Sequence, residues 1–186
     1  MKDSKKDELF SLRSMVFTAV FAALICVAAP FSVPVGAIPI TLATFAIYLT
    51  GALLGGKRGV LAVLVYILIG AVGLPVFSSF QAGFAVLFGP TGGYIIGYIP
   101  LVLLSGLFSD KRRWLIPVGM VLGTAALYTF GTAWFMIFTG ANLATALVKC
   151  VLPFLIGDSI KIALTTLISV PLKSRLNNIL GNNRPE

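Results

Sequence analysis

A chain of 186 residues, 58% of them AVILMFWYC and only 11% charged, with mean hydropathy +1.01, carries too little polar surface to be a water-soluble domain. Most of it is solvated by lipid. The net charge of +8 does not point to nucleic acid, because the basic residues stand in twos and threes between apolar runs instead of lining one face. The chain has no His, which removes the commonest metal ligand and general base. Cys26 and Cys150 lie in apolar runs without CxxC spacing, which disfavours a disulfide or a metal site.

Lys2, Lys5 and Lys6 precede the first apolar run and Ala28 and Ala29 follow it, as in a signal peptide. Asp3, Asp7 and Glu8 spoil that pattern and similar runs follow, so the run is read as a retained first span. Breaks at 30–36, 56–59, 73–90, 109–113, 140–149 and after Pro171 leave spans near 14–29, 38–55, 59–72, 91–108, 114–138 and 150–172. A span takes roughly 20 apolar residues, so the expected fold is an all-α integral membrane protein, a single bundle of six transmembrane helices. One transmembrane domain fills residues 1–186, with 1–13 and 173–186 as cytoplasmic tails. The third span is short, and 73–90 is expected to return toward the membrane, where non-helical backbone survives only in protein or along a cavity.

The positive-inside rule sets the orientation. Lys2, Lys5, Lys6 and Arg13, then Lys57 and Arg58, then Lys111, Arg112 and Arg113, then Lys173, Arg175 and Arg184 fall on one side, against Lys149 on the other. Both termini are therefore expected in the cytoplasm, which requires an even number of spans. Pairs of small residues four apart recur at Ala19 and Ala23, Gly51 and Gly55, Gly93 and Gly97, and Gly119 and Gly123. They permit close helix approach, within this bundle or against a partner.

Asp158 and Lys161 lie inside the last expected span, where each charge costs ~2.5–3.5 kcal/mol. Three residues apart on a helix, they share a face. A self-neutralising ion pair is one reading. The other is a ligand site, because a buried pair is weak evidence for stability and these residues follow Pro153 in the outer half of the span. A carboxylate beside an ammonium suits a small ligand with both N–H and C=O groups. The stretch GPTGGYIIGY at 89–98 opens a helix on the same side; its glycines allow tight turns, and Thr91 is placed to cap that helix. It is no dinucleotide fingerprint, lacking GxGxxG and a preceding strand. GALLGGK at 51–57 fits GxxxxGK, but Arg58 stands where Ser or Thr should hold Mg²⁺. With no nucleophile, metal or ATP motif, binding or transport outranks enzymology.

Taken together, IPITLATFAIYLTGALLGGKRG (38–59), VGLPVF (72–77), GPTGGYIIGY (89–98) and FLIGDSIKIAL (154–164), in that order, resemble the BioY family, the biotin-specific S components of energy-coupling factor transporters. The chain departs from the family at Ala43, where a Gln is usual. The resemblance implies six helices, biotin near the outer face under the loops joining spans one to two, three to four and five to six, and no cofactor besides the transported ligand. It implies that Asp158 and Lys161 bind the polar groups of biotin. The ring and valeryl chain need apolar walls, for which Phe77, Phe80 and Tyr94 are candidates, with Gly89 and Thr91 shaping the pocket and Gln81 and Asn142 as further polar contacts. Either end of biotin could meet Lys161. Ala19 and Ala23 match the family's docking pattern for a transmembrane coupling protein, which works with two cytoplasmic ATPases in a bacterial or archaeal cytoplasmic membrane. The competing expectation is a self-sufficient secondary transporter of a small carboxylate or vitamin, in which Asp158 could couple protons.

Overall fold

The computed structural model describes residues 11–34 and 38–179. Lys2, Lys5, Lys6 and Arg184 of the charge tally lie outside the described residues, as do 1–10 and 180–186 of the expected tails. Apolar runs fold as helices because backbone facing lipid must satisfy its own N–H and C=O groups. In chain order these are α1 (Leu12–Ala28), a hairpin of β1 (Ser32–Val33) and β2 (Ile40–Thr41), α2 (Ala43–Leu54), α3 (Gly56–Val72), the four-residue α4 (Phe84–Leu87), α5 (Gly92–Lys111), α6 (Ile116–Thr139), α7 (Leu143–Cys150) and α8 (Leu152–Ile179). Ser32 pairs with Thr41 across the antiparallel hairpin.

The six expected spans correspond to α1, α2, α3, α5, α6 and α8, but the described residues hold seven helices of eight residues or more. The additional one is α7, in the stretch read from sequence as a break. Asn142 caps it, its side-chain oxygen accepting from Thr145 N–H at 2.8 Å. Pro153 then separates α7 from α8: it has no N–H to donate and its ring crowds the carbonyl of Lys149, so Val151 leaves helical geometry at φ −124°, ψ −56°. By length and composition, α5, α6 and the nearly continuous run Leu143–Lys173 can each cross a bilayer, while α1 and α2 are shorter. Ten of the twelve residues of α2 are buried, so its short length is compensated by protein on its flanks: α1, α3, α5 and α8 all pack against it.

Glycine sets the close approaches. A Cβ on Gly51 would stand 2.9 Å from Ser105 Cβ, one on Gly97 2.9 Å from Leu127 Cδ1, and one on Gly123 2.7 Å from the Leu101 carbonyl oxygen. Gly93 and Gly119 are equally tight against Trp134 and Phe108. These stripes are thus consumed inside the bundle, between α2 and α5 and along α5 and α6. The Ala19 and Ala23 stripe is not: both residues are exposed, on the face of α1 opposite buried Ser14, Thr18, Ala22 and Ile25.

At the end of the bundle away from the hairpin, the α2–α3 junction turns at Gly55, whose φ of +82° L side chains rarely adopt. Asp110 accepts from Gly56 N–H at 3.2 Å and stands 3.5 Å from Lys173, which is buried and donates to Ser109. Ser109 in turn donates to the Ala52 carbonyl at 2.6 Å. The GALLGGK stretch is therefore a helix-to-helix corner packed against Gly106 and Asp110, with no open loop to cradle a phosphate.

Candidate functional site

The sequence leaves β2 and enters α2 within three residues, which sets the Thr41 carbonyl and the Thr44 side chain beside the face of α8 carrying Asp158 and Lys161. Lys161 Nζ donates to Thr41 O at 2.8 Å, Thr44 Oγ1 at 2.8 Å and Asp158 Oδ1 at 3.1 Å, which uses its three N–H bonds. Thr44 passes its own proton to Asp158 Oδ1 at 3.2 Å, and Tyr128 of α6 donates to Asp158 Oδ2 at 2.7 Å. Asp158 is 3% exposed. A buried charge of this kind persists only when its oxygens are satisfied, and here both are, from three different helices.

This polar cluster lies on the wall of a cavity with about 600 Å³ of empty space, its mouth included. The rest of the wall is mainly aromatic and aliphatic: Tyr66, Phe77, Tyr94, Tyr98, Tyr128 and Phe154 supply the rings. Glycines seat two of them. A Cβ on Gly70 would stand 2.3 Å from Phe77 Cζ, and one on Gly131 2.4 Å from Tyr94 Cζ. Tyr66 meets Phe77 edge to face at 5.6 Å, and Tyr94 stacks on Phe154 at 6.4 Å while donating to the Cys150 carbonyl at 2.9 Å.

Of the residues expected at a site, Asp158, Lys161, Tyr94, Phe77 and Thr91 line this cavity together. Gln81 and Gly89 line an adjoining outer cavity, which shares Ser78 and Thr91 with the first. Gly89 also ties the segment to α6, its carbonyl accepting from Trp134 Nε1 at 2.9 Å. Two of the expected residues line neither cavity. Phe80 reaches neither cavity: a left-handed turn at Ser79 and Phe80 (φ 56° and 60°) leaves its ring 60% exposed against Phe31. Asn142 is exposed and spends its side-chain oxygen capping α7. Thr91 stands at the N-cap of α5 but makes no side-chain cap hydrogen bond, so its hydroxyl is not used as a cap. Thr44, Tyr66, Tyr98, Tyr128, Phe154 and Ser78 were not anticipated. Thr44 had a signal, one position after Ala43, which itself lines the cavity where relatives were expected to carry Gln.

The pattern of the BioY family matches residues 1–178. The chain is 38% identical over 161 residues to the probable biotin transporter BioY of Pyrococcus horikoshii, covering 87% of this chain and 96% of that one. It is 38% identical over 165 residues to the biotin transporter BioY of Thermotoga maritima, with the same two coverages of 87% and 96%. Among solved structures it is similar to the S-component for biotin from an ECF-type ABC transporter, with a TM-score of 0.78, 26% identity and 94% of both chains covered.

Tyr128→Phe removes one donor and leaves Asp158 Oδ2 buried without a partner. The expected outcome is a stability loss of about 1–3 kcal/mol, seen as a lower midpoint of thermal unfolding in detergent. An unchanged midpoint would mean that the carboxylate does not depend on this hydroxyl.

Proposed function

The chain belongs to the BioY family, and we propose that it is the biotin-binding S component of an energy-coupling factor uptake system. It is a multi-pass protein of the cytoplasmic membrane and not an enzyme. The observation that carries the reading is the buried acid–base cluster of Asp158, Lys161, Thr44 and Tyr128 on the wall of an aromatic-lined cavity. Biotin's ureido ring offers two N–H donors and one carbonyl acceptor. Asp158 accepts from the N–H groups, Lys161 donates to the carbonyl, and the aromatic rings cover the fused bicycle.

In this reading the chain makes six crossings, with α7 and α8 together forming the last one. The cytoplasmic side carries both termini and the α2–α3 corner with Lys57 and Arg58, so the cavity opens outward. Biotin then passes inward with a transmembrane coupling protein and two cytoplasmic ATPases. The exposed small stripe at Ala19 and Ala23 is the docking face for the coupling protein, because the other small-residue stripes are already occupied by this bundle's own helices.

Asp158→Asn leaves Lys161 without its counter-charge. Breaking a buried pair costs ~3–5 kcal/mol, so biotin affinity measured by isothermal titration is expected to fall at least about a hundredfold if that loss appears in the complex. The double change Asp158→Asn with Lys161→Gln is expected to recover thermal stability without recovering binding. Near-native affinity in a well-folded double variant would make the pair structural and place the ligand elsewhere.

Trp in place of Ala19 or Ala23 is expected to prevent copurification with the coupling protein while biotin binding to the isolated chain survives. Loss of binding with assembly intact would assign this face to the pocket. Biotin accumulation by the chain alone in liposomes would favour a self-sufficient transporter.

A further inference from the structure

We propose that the corner where α3 begins beside the end of α5 binds an anionic phospholipid, its headgroup phosphate held by Lys57, Lys111 and Arg112 and its acyl chains lying along the two helices. The inference is independent of what the cavity binds. Asp110 joins the two helix ends, its carboxylate accepting from Gly56 N–H at 3.2 Å. Lys57 is the residue after Gly56 and Lys111 the residue after Asp110, so the two cations flank one contact. Lys57, Lys111 and Arg112 are all exposed, and none of them forms an ion pair with a described acid. Asp110, the one described acid at this corner, already stands 3.5 Å from Lys173.

An apolar track leaves this corner, which a patch of solvated cations would not need. On α3, Lys57 heads a row of exposed Leu61, Leu64 and Leu68, spaced so that all four share one helix face. On α5, Lys111 stands one turn beyond exposed Leu107. A Cβ on Gly56 would stand 3.3 Å from Leu107 Cγ and 3.2 Å from the Leu103 carbonyl oxygen, so the two rows meet where the cations gather. Lys111 holds its ammonium 5.5 Å from the centre of the Phe108 ring, with its stem on apolar surface and its charge at the edge. Trp114, 65% exposed, follows Arg112 by two residues, and rings of this kind settle at the headgroup level of a bilayer.

The cations and the leucines together select the ligand. A free phosphate would use the cations and leave the leucines uncovered. A zwitterionic lipid would cover the leucines, but its own cation offsets its phosphate. A lipid of the phosphatidylglycerol kind uses both features. Lys149, exposed on α7 at the hairpin end, has no second exposed cation beside it among the described residues and provides a reference position.

The test is native mass spectrometry of the purified full chain in detergent, titrated with dioleoyl phosphatidylglycerol and with dioleoyl phosphatidylcholine. Each cation near a membrane surface is worth about fivefold in preference for an anionic headgroup, so the unmodified chain is expected to bind the anionic lipid at least about tenfold more tightly. Lys57→Gln combined with Lys111→Gln is expected to bring the two lipids to within about threefold, while Lys149→Gln keeps the full preference. Thermal unfolding checks that each variant is folded. An equal loss of preference with Lys149→Gln would mean that net charge alone draws the lipid, and would overturn the site. Inorganic phosphate in molar excess is expected to leave the lipid bound; displacement would assign the corner to a free anion. Equal binding of the two lipids by the unmodified chain would overturn the proposal, and loss of the coupling protein from the double variant would then assign these cations to that partner.

Discussion

A carboxylate and an ammonium buried three residues apart on α8 are the interaction around which the rest of this bundle is arranged. Each charge placed in the membrane interior costs ~2.5–3.5 kcal/mol before any compensation, so the surrounding sequence has to supply donors and acceptors at defined positions. Thr44 and the Thr41 carbonyl do so from the start of α2, and Tyr128 does so from α6. The consequence is mechanical as well as electrostatic. Three helices and the end of the β-hairpin meet at one polar point, and the aromatic cavity forms beside it.

The remainder of the fold keeps that point in place. In lipid there is little hydrophobic force between helices, and close van der Waals contact has to hold them. The glycines of α2, α5 and α6 serve this purpose by letting backbones and rings approach where any Cβ would collide. At the opposite end a second polar cluster repeats the logic: buried Lys173 of α8 is bound to Ser109 and Asp110 of α5, which in turn hold the α2–α3 corner. The long α8 is thus fastened to α2 near both of its ends, through side chains at one and through α5 at the other. The same accounting leaves Ala19 and Ala23 as a small-residue stripe without an internal neighbour, and that is why the docking proposal rests on α1.

Some of this was legible in the sequence for a plain physical reason. Apolar runs of span length and two charges inside one of them have few explanations in any chain, so the principal helices and the pair Asp158 and Lys161 stood out. The pair's partners did not. A Thr or Tyr in an apolar span is ordinary core composition, and nothing in the spacing of Thr44 or Tyr128 distinguishes a carboxylate donor from a packed side chain. Helix α7 was hidden because Gly140 and Lys149 bound a stretch that looks like a loop, whereas a short helix fills it and Pro153 divides that helix from α8. Asn142 and Phe80 carry no signal in the sequence that separates two roles: a polar residue and a ring near an expected pocket are also what a helix cap and an exposed loop require. Ser78 could be placed on the cavity wall only once the fold was known.

The central claim is that the cluster on α8 is a ligand-binding device and not merely a neutralised pair. The most direct measurement is a structure of the chain crystallised with biotin. The account predicts the ureido ring within hydrogen-bond distance, about 3.2 Å or less, of an Asp158 carboxylate oxygen and of Lys161 Nζ, with at least one of the contacts from Lys161 to Thr41 or Thr44 given up to the ligand. Biotin seated elsewhere, with Asp158, Lys161, Thr44 and Tyr128 bonded to one another as they are here, would contradict it.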